Sequence, residues 1–294
     1  MAFYQRITAA TLALSLISAG PTYAREQKER LLFDVMFGGL HVADVVVAID
    51  QSADSYQSSL TIRSRGVLDW IQNFRADMKS QGGLIASPGP IRAVPNLYSR
   101  AWSNPEVASE MTMHFDPVTG LGQGQERLFN PTTGVDLKPE DMPWNNRRPI
   151  MPVPDHLRAG AIDPIAAFVA ARRQMQESGQ KEVRVPIYDG RRRYDIISTI
   201  GQPRAYTIKD KTRELTPVTS RMEPVFGFEP DGEDRMRESS GTTLFTSDER
   251  FVPVQIILGN DMFSSVMNLV AECNTDPLPC DTFGQTQQQK PETN

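Results

Sequence analysis

The chain has 294 residues, 39% of them hydrophobic and 23% charged, with a formal net charge of −5. That is enough chain for one large β domain or two small ones, with an ordinary globular composition. A net negative chain lacks the basic surface that phosphate binding needs, which argues against nucleic acid as the main partner.

The N-terminus reads as a signal peptide. Arg6 supplies the positive start, Ile7 to Ala19 is mostly apolar or small, and Gly20-Pro21 breaks the run. Thr22-Tyr23-Ala24 is a small-x-small cleavage site, which predicts cleavage after Ala24. The alternative is an uncleaved membrane anchor. No cysteine lies near the site, so a lipid-anchored form is not expected. No later stretch is apolar enough to cross a bilayer, and the expectation is a periplasmic, soluble mature protein. The expected division is residues 1–24 as signal peptide, 25–284 as a single β-rich domain and 285–294 as a disordered polar tail.

Residues 25–30 read as a charged, frayed start. Leu31 to Ile49 reads as two strands around Gly38-Gly39, and Tyr56, Ser58, Leu60 and Ile62 alternate as a strand with one wet face. Residues 66–75, with Leu68, Trp70, Ile71 and Phe74, read as a further strand with a bend, with a helical turn as the alternative. Short strands follow over 78–87, 96–102, 108–115 and 123–129, separated by Gly and Pro turn signals. Residues 130–161 are rich in Pro, Asn and Arg and long for a connection. Trp144, Arg147, Arg148, Met151 and His156 make this segment recognition-like; the plainer reading is a crossover that lays Trp144 and Met151 over the core.

The best-signalled stretch runs from Ile162 to Ile197. Asp163 suits a helix N-cap and Pro164 the first helical position. Ile165, Phe168, Val169 and Met175 make an apolar stripe, and Gly179 suits the stop. Arg172 falls in the middle of that stripe. Either its stem packs while the guanidinium escapes at the helix end, or it meets a buried acid or an anionic ligand. A hairpin follows, with Asp189-Gly190 as a two-residue turn. That turn sets Tyr188 opposite Arg191, Val185 opposite Tyr194, Arg184 opposite Asp195 and Val183 opposite Ile196. One face then carries Val183, Val185, Ile187, Tyr194 and Ile196, with Arg192 at its outer end. The other carries Arg184, Tyr188, Arg191, Arg193 and Asp195. Arg172 and Arg192 would approach one apolar interior and need an acidic partner.

Asp163-Pro164, about 25 residues before the run Tyr188 to Asp195, resembles the bacterial exported family DUF3108, a domain of unknown function. The motif residues are Asp163, Pro164, Asp189, Gly190, Arg191, Arg193, Tyr194 and Asp195. Gly38-Gly39-Leu40 and the strand Phe251 to Val254 fit it too. The resemblance implies no activity and assigns no catalytic residue. A Cys-containing strand would be expected soon after the hairpin, and Thr207 to Arg221 has none.

Residues 204–223 continue in strands, and 226–240 read as a solvated acidic hairpin excursion. Thr242 to Thr246 and Phe251 to Leu258 are strands, Gly259 to Asp261 a turn, and Met262 to Ala271 the closing strand. Cys273 and Cys280, the two cysteines of the chain, read as a disulfide that ties off this end. The fold class is mainly β with one principal helix, α+β: a curled antiparallel sheet or half-open barrel wrapped around an amphipathic helix.

Catalytic signatures are missing. His41, His114 and His156 share no metal-ligand spacing, so no metal is expected, and no cofactor. There is no G-x-S-x-G elbow, and Gly120 to Gly124 opens no helix. Glu140-Asp141 has no apolar setting to split its pKa values. The expectation is a non-enzymatic protein that binds an apolar or lipid-like envelope component and supports envelope integrity. Its candidate contacts are Trp70, Phe74, Trp144, Phe168, Arg172 and Arg192. The alternative is an envelope scaffold or assembly factor with a filled core. It would work through Arg191, Arg193 and the 130–161 loop on another envelope protein or a cell-wall polymer.

Overall fold

The computed structural model describes residues 27–85, 90–138, 151–177, 180–259 and 264–273. The first half is a run of hairpins: β1 (Gln27–Phe37), β2 (Leu40–Gln51), β3 (Ser55–Ser64), α1 (Gly66–Gln72), β4 (Arg75–Ile85), β5 (Arg92–Ser103), β6 (Ala108–Phe115) and β7 (Gly122–Phe129). Two helices follow, α2 (Asp155–Arg158) and α3 (Pro164–Glu177), then β8 (Glu182–Tyr188), β9 (Arg193–Ile200), β10 (Arg204–Ile208) and β11 (Lys211–Phe226). The chain returns through α4 (Pro230–Glu238), β12 (Ser240–Thr246), β13 (Pro253–Leu258) and β14 (Ser265–Glu272).

One sheet holds all the described strands, in the order β7-β6-β5-β4-β3-β2-β1-β14-β13-β12-β11-β9-β8, with β10 beside β11. Most neighbours in space are neighbours in sequence, because short turns close hairpins at little entropic cost. The long-range step is the pairing of β1 with β14, from Leu31 opposite Glu272 to Phe37 opposite Ser265. It joins the two arms and curls the sheet into a nearly closed, barrel-like form. The free edges, β7 and β8, are not paired to each other. Between them Ile162 makes a parallel bridge to Ile187, and Arg158 Nη1 donates to the Gly122 carbonyl at 2.7 Å. Arg191 Nε donates to Glu126 Oε2 at 2.5 Å across the same gap.

The inner face is apolar by strand alternation: Leu31 and Phe33 on β1, Val45 on β2, Val183, Val185 and Ile187 on β8 are buried. Against it sits α3. Ala166, Val169 and Ala170 pack with Ile49, Tyr56, Leu84 and Ala93. Ala167 packs with Val183, Val185 and Ile187 on the opposite side. No described side chain of α3 is exposed. The expected apolar stripe is thus only part of the contact. Ile165 and Val169 are buried, Phe168 and Met175 half-buried, and the alanines carry the closest approach because their small side chains let the sheet come near.

Five expectations are corrected. Residues 66–75 are not one strand: Gly66 (φ +58°) and Asn73 (φ +37°) bracket a short helix, with the Asn73 N–H on the Asp69 carbonyl. Residues 226–240 hold α4 rather than a hairpin, helped by Pro230 in the first turn and the Arg237–Glu233 ion pair at 2.6 Å. The frayed start is largely strand, because β1 runs from Gln27 and Glu29 on it is buried. The 189–190 turn is longer than two residues. Asp189 Oδ1 accepts from the Arg191 and Arg192 N–H groups at 2.9 and 2.7 Å, which spreads the turn over four residues. Tyr188 therefore faces Arg193, Ile187 faces Tyr194 and Val185 faces Ile196. The slip is two residues, so each strand residue keeps its face. Last, Arg192 is not on the inner face: it is exposed, with its guanidinium 5.3 Å from the Phe228 ring centroid. It does not converge on Arg172.

Candidate functional site

A cleft of about 210 Å³ lies between α3 and the sheet. Phe168, Ala171 and Met175 of α3 form one wall, and Val185, Ile187, Ile196, Val218 and Phe245 form the other. Ala167 and Ala171 leave room in it beside the larger Phe168 and Met175. Its hydroxyl groups are few: Ser198 and Ser220, which bond each other at 2.8 Å, and Thr243. The volume is below the roughly 300–1,000 Å³ typical of drug-sized sites, so the cleft suits a small apolar group.

Arg172 lines this cleft, but its guanidinium is bonded to groups that do not line it. Its Nη1 donates to Glu29 Oε2 at 2.5 Å and its Nη2 to Glu29 Oε1 at 2.9 Å. Nε donates to the Phe251 carbonyl at 2.9 Å and Nη2 to the Arg250 carbonyl at 2.6 Å. Side-chain exposures of 4% and 3% show that both ions are out of water. The guanidinium does not escape at the helix end, as the simpler reading expected. It is held by a bidentate carboxylate, which satisfies a buried charge far better than packing alone.

Asp163 is fully buried at the other end of α3. Its Oδ1 accepts from the Ile165 and Ala166 N–H groups, each at 2.9 Å, as an N-cap does. Its Oδ2 accepts from the Ser80 hydroxyl at 2.8 Å, and Ser80 in turn lies 3.0 Å from the Tyr56 hydroxyl. Burial pushes the Asp163 carboxyl up to about 6, although the three donors pull the other way. Burial likewise pushes the Tyr56, Tyr98 and Tyr194 hydroxyls above their ordinary range. Pro164 lines the cleft.

The hairpin arginines are engaged. Arg191 shares Glu126 with Arg100, whose Nη2 is 2.9 Å from Oε1, and with the Ser109 hydroxyl at 2.7 Å. Arg193 and Arg184 both hold Asp195, at 2.5 and 2.6 Å. The expected Arg184–Asp195 contact forms on the diagonal, since Pro186 stands directly opposite Asp195. Gly190 turns at φ +94°.

Of the expected ligand contacts, Phe168 and Arg172 line the cleft. Phe74 instead stacks on Trp102, with centroids 6.5 Å apart. Trp70 is 86% exposed. Trp144, Arg147 and Arg148 lie outside the described residues, as do the 1–24 segment, Gly179 and the 285–294 tail. Cys273 is buried and its N–H donates to the Arg30 carbonyl at 2.7 Å. Cys280 lies outside the described residues, so the expected pairing does too. Among the described residues no group of three or more His, Cys, Asp or Glu side chains could hold a metal ion, and no helix is long and apolar enough to cross a membrane.

Glu29 and the β11–β12 wall were missed by sequence reasoning. Glu29 was findable: at the strand period it shares a face with Leu31 and Phe33. The β11–β12 wall carried no such sign, because Ser220 and Thr243 look like ordinary wet-face residues.

The family model described as "Protein of unknown function (DUF3108)" matches residues 32–267. No curated protein matches the chain. Among solved structures, a β-barrel-like protein of the domain of unknown function DUF1849 from Brucella abortus is similar, at 13% identity and a TM-score of 0.48, over 85% of this chain and 98% of that one.

Proposed function

We propose, for a chain that belongs to the DUF3108 family and so to a family defined without an activity, that it is a non-enzymatic periplasmic protein that holds an apolar, lipid-like envelope component. In this reading the sheet wraps α3, and the cleft beside Phe168 and Met175 takes a small apolar group of that component. The observation that carries it is the cleft itself. Its walls are apolar, the Ser198 and Ser220 hydroxyls satisfy each other, and the Arg172 charge is cancelled by Glu29. A site with most of its polar groups satisfied internally loses little when water leaves, and favours an apolar guest. It offers no free nucleophile or acid–base pair, which supports binding over chemistry. The export signal read at residues 1–24 supports the compartment.

The test is uptake of an apolar fluorescent probe by the purified protein, with native mass spectrometry for carried lipid. Ala171→Phe, which fills the cleft from α3, should cut probe uptake at least about tenfold, the effect of losing one well-buried apolar contact of roughly 1.5–3 kcal/mol. Wild-type protein that takes up no probe and carries no lipid would overturn the proposal.

A further inference from the structure

Trp70 takes no part in the cleft. It stands on α1, which has no buried residue, and its neighbours Val67, Leu68 and Ile71 are 67%, 38% and 57% exposed. The helix lies beside the tip of the β1–β2 hairpin. The Arg65 N–H donates to the Val42 carbonyl at 2.7 Å, and a Cβ on Gly66 would sit 3.3 Å from the His41 carbonyl. That tip exposes Phe37 and Leu40, at 44% and 65%. Gly38 and Gly39 at its turn face open space, so the tip projects. Together these six side chains expose roughly 700 Å² at aromatic and aliphatic side-chain sizes, more than the 300–600 Å² of the largest patch on a typical monomer.

Charge and area decide what fits it. Residues 37–44 and 63–77 carry Asp44, Asp69 and Asp77 against Arg63, Arg65 and Arg75, a formal sum of zero in a chain of −5. The three acids are all engaged: Asp44 by His41 and Arg65, Asp77 by Arg63, and Asp69 by the Ser64 hydroxyl. The patch therefore does not repel an anionic surface. A second copy would need about 800 Å² from each partner, in a face it can cover at once. A projecting hairpin tip and a short helix without a buried residue do not present one such face, whereas lipid surrounds each side chain separately. Tryptophan and aliphatic groups on an exposed helix are what the headgroup region accepts.

We propose that this end of the sheet docks on a phospholipid bilayer surface, with Trp70 as its anchor. The docking surface and the cleft are separate, since no residue of α1 lines the cleft. The test uses the full chain with phosphatidylcholine vesicles and with mixed phosphatidylcholine–phosphatidylglycerol vesicles, read by co-sedimentation. Wild type should sediment with both. The Val67→Asp/Ile71→Asp variant should bind at least about tenfold more weakly to both, because two apolar insertions become charges. Both sites are exposed, so the variant should fold and keep its uptake of the apolar probe. Failure of docking is thereby read separately from failure of the cleft. Wild type that stays in the supernatant, or a variant that binds as wild type does, overturns the proposal. So does a dimer, seen by sedimentation velocity, that the variant abolishes while vesicles bind neither protein.

Discussion

Replacing Glu29 by Gln removes the carboxylate charge from the Arg172 guanidinium and leaves one side-chain oxygen, which can still accept from the Gln27 side-chain amide, 2.6 Å from Glu29 Oε1. The two side chains are 143 residues apart in sequence, and both are within a few percent of full burial. In the variant the guanidinium keeps the Phe251 and Arg250 carbonyls but loses its counter-charge. Breaking a buried pair in this way costs about 3–5 kcal/mol, because the remaining ion stays out of water uncompensated. With urea slopes of about 1–3 kcal/mol per molar, the unfolding midpoint should fall by at least about 1 M. Arg172→Met should cost a similar amount. The double variant, Glu29→Gln with Arg172→Met, removes both charges and leaves the two carbonyls short of a donor. It should lie only about 1–3 kcal/mol below wild type, well short of the sum of the singles. Equilibrium urea unfolding of the four proteins closes the cycle. A Glu29→Gln loss under about 1 kcal/mol, or singles that simply add, would refute the account of this pair.

Other outcomes follow from single sites. The Asp163 carboxyl, raised to about 6 from 3.8, makes the folded state the better proton binder between those values. Its contribution is therefore fully present below about pH 4 and lost as pH rises through 6, about 3 kcal/mol in all. Asp163→Asn keeps the cap acceptor and should abolish that part of the slope in urea unfolding at pH 4 to 7. A wild-type minus variant difference that stays flat with pH would count against it. Gly82→Ala would place a Cβ 2.2 Å from the Val94 carbonyl at the β4–β5 irregularity, and should lower stability by about 1–3 kcal/mol in the same assay. For Cys273 and Cys280, intact-mass measurement before and after reduction should show the loss of two hydrogens in protein isolated from an oxidising compartment. Serine at both positions should cost no more than about 2–3 kcal/mol, given so short a loop.

The Asp163-Pro164 signal and the alternation of β8 were readable because they are local. A cap needs its own next residues, and a strand face needs only its own period. The hairpin turn misled for a local reason too. Asp189-Gly190 satisfies the two-residue pattern, but the Asp189 carboxylate has two amides within reach and takes a wider turn. The two-residue slip that results leaves the faces unchanged, so the separation of the strand arginines survived the wrong register. Trp70 misled because size alone does not say which way a residue faces. Only the turn set by Gly66 and Asn73 brings it out to solvent.

The sequence by itself determined most of the strands, the principal helix with its capping aspartate, and the inward faces of β8 and β9, since these follow from periods of 2 and 3.6 and from local turn chemistry. It posed the problem of Arg172 without solving it. Only the tertiary structure decided that Glu29, at the far end of the chain, meets that charge. The β1–β14 pairing and the curl of the sheet bring residue 29 to the C-terminal half of α3. The same curl sets Ser220, Thr243 and Phe245 opposite Phe168 and so makes the cleft. No local rule carries such contacts, because they depend on which distant strands become neighbours and not on what any one stretch prefers.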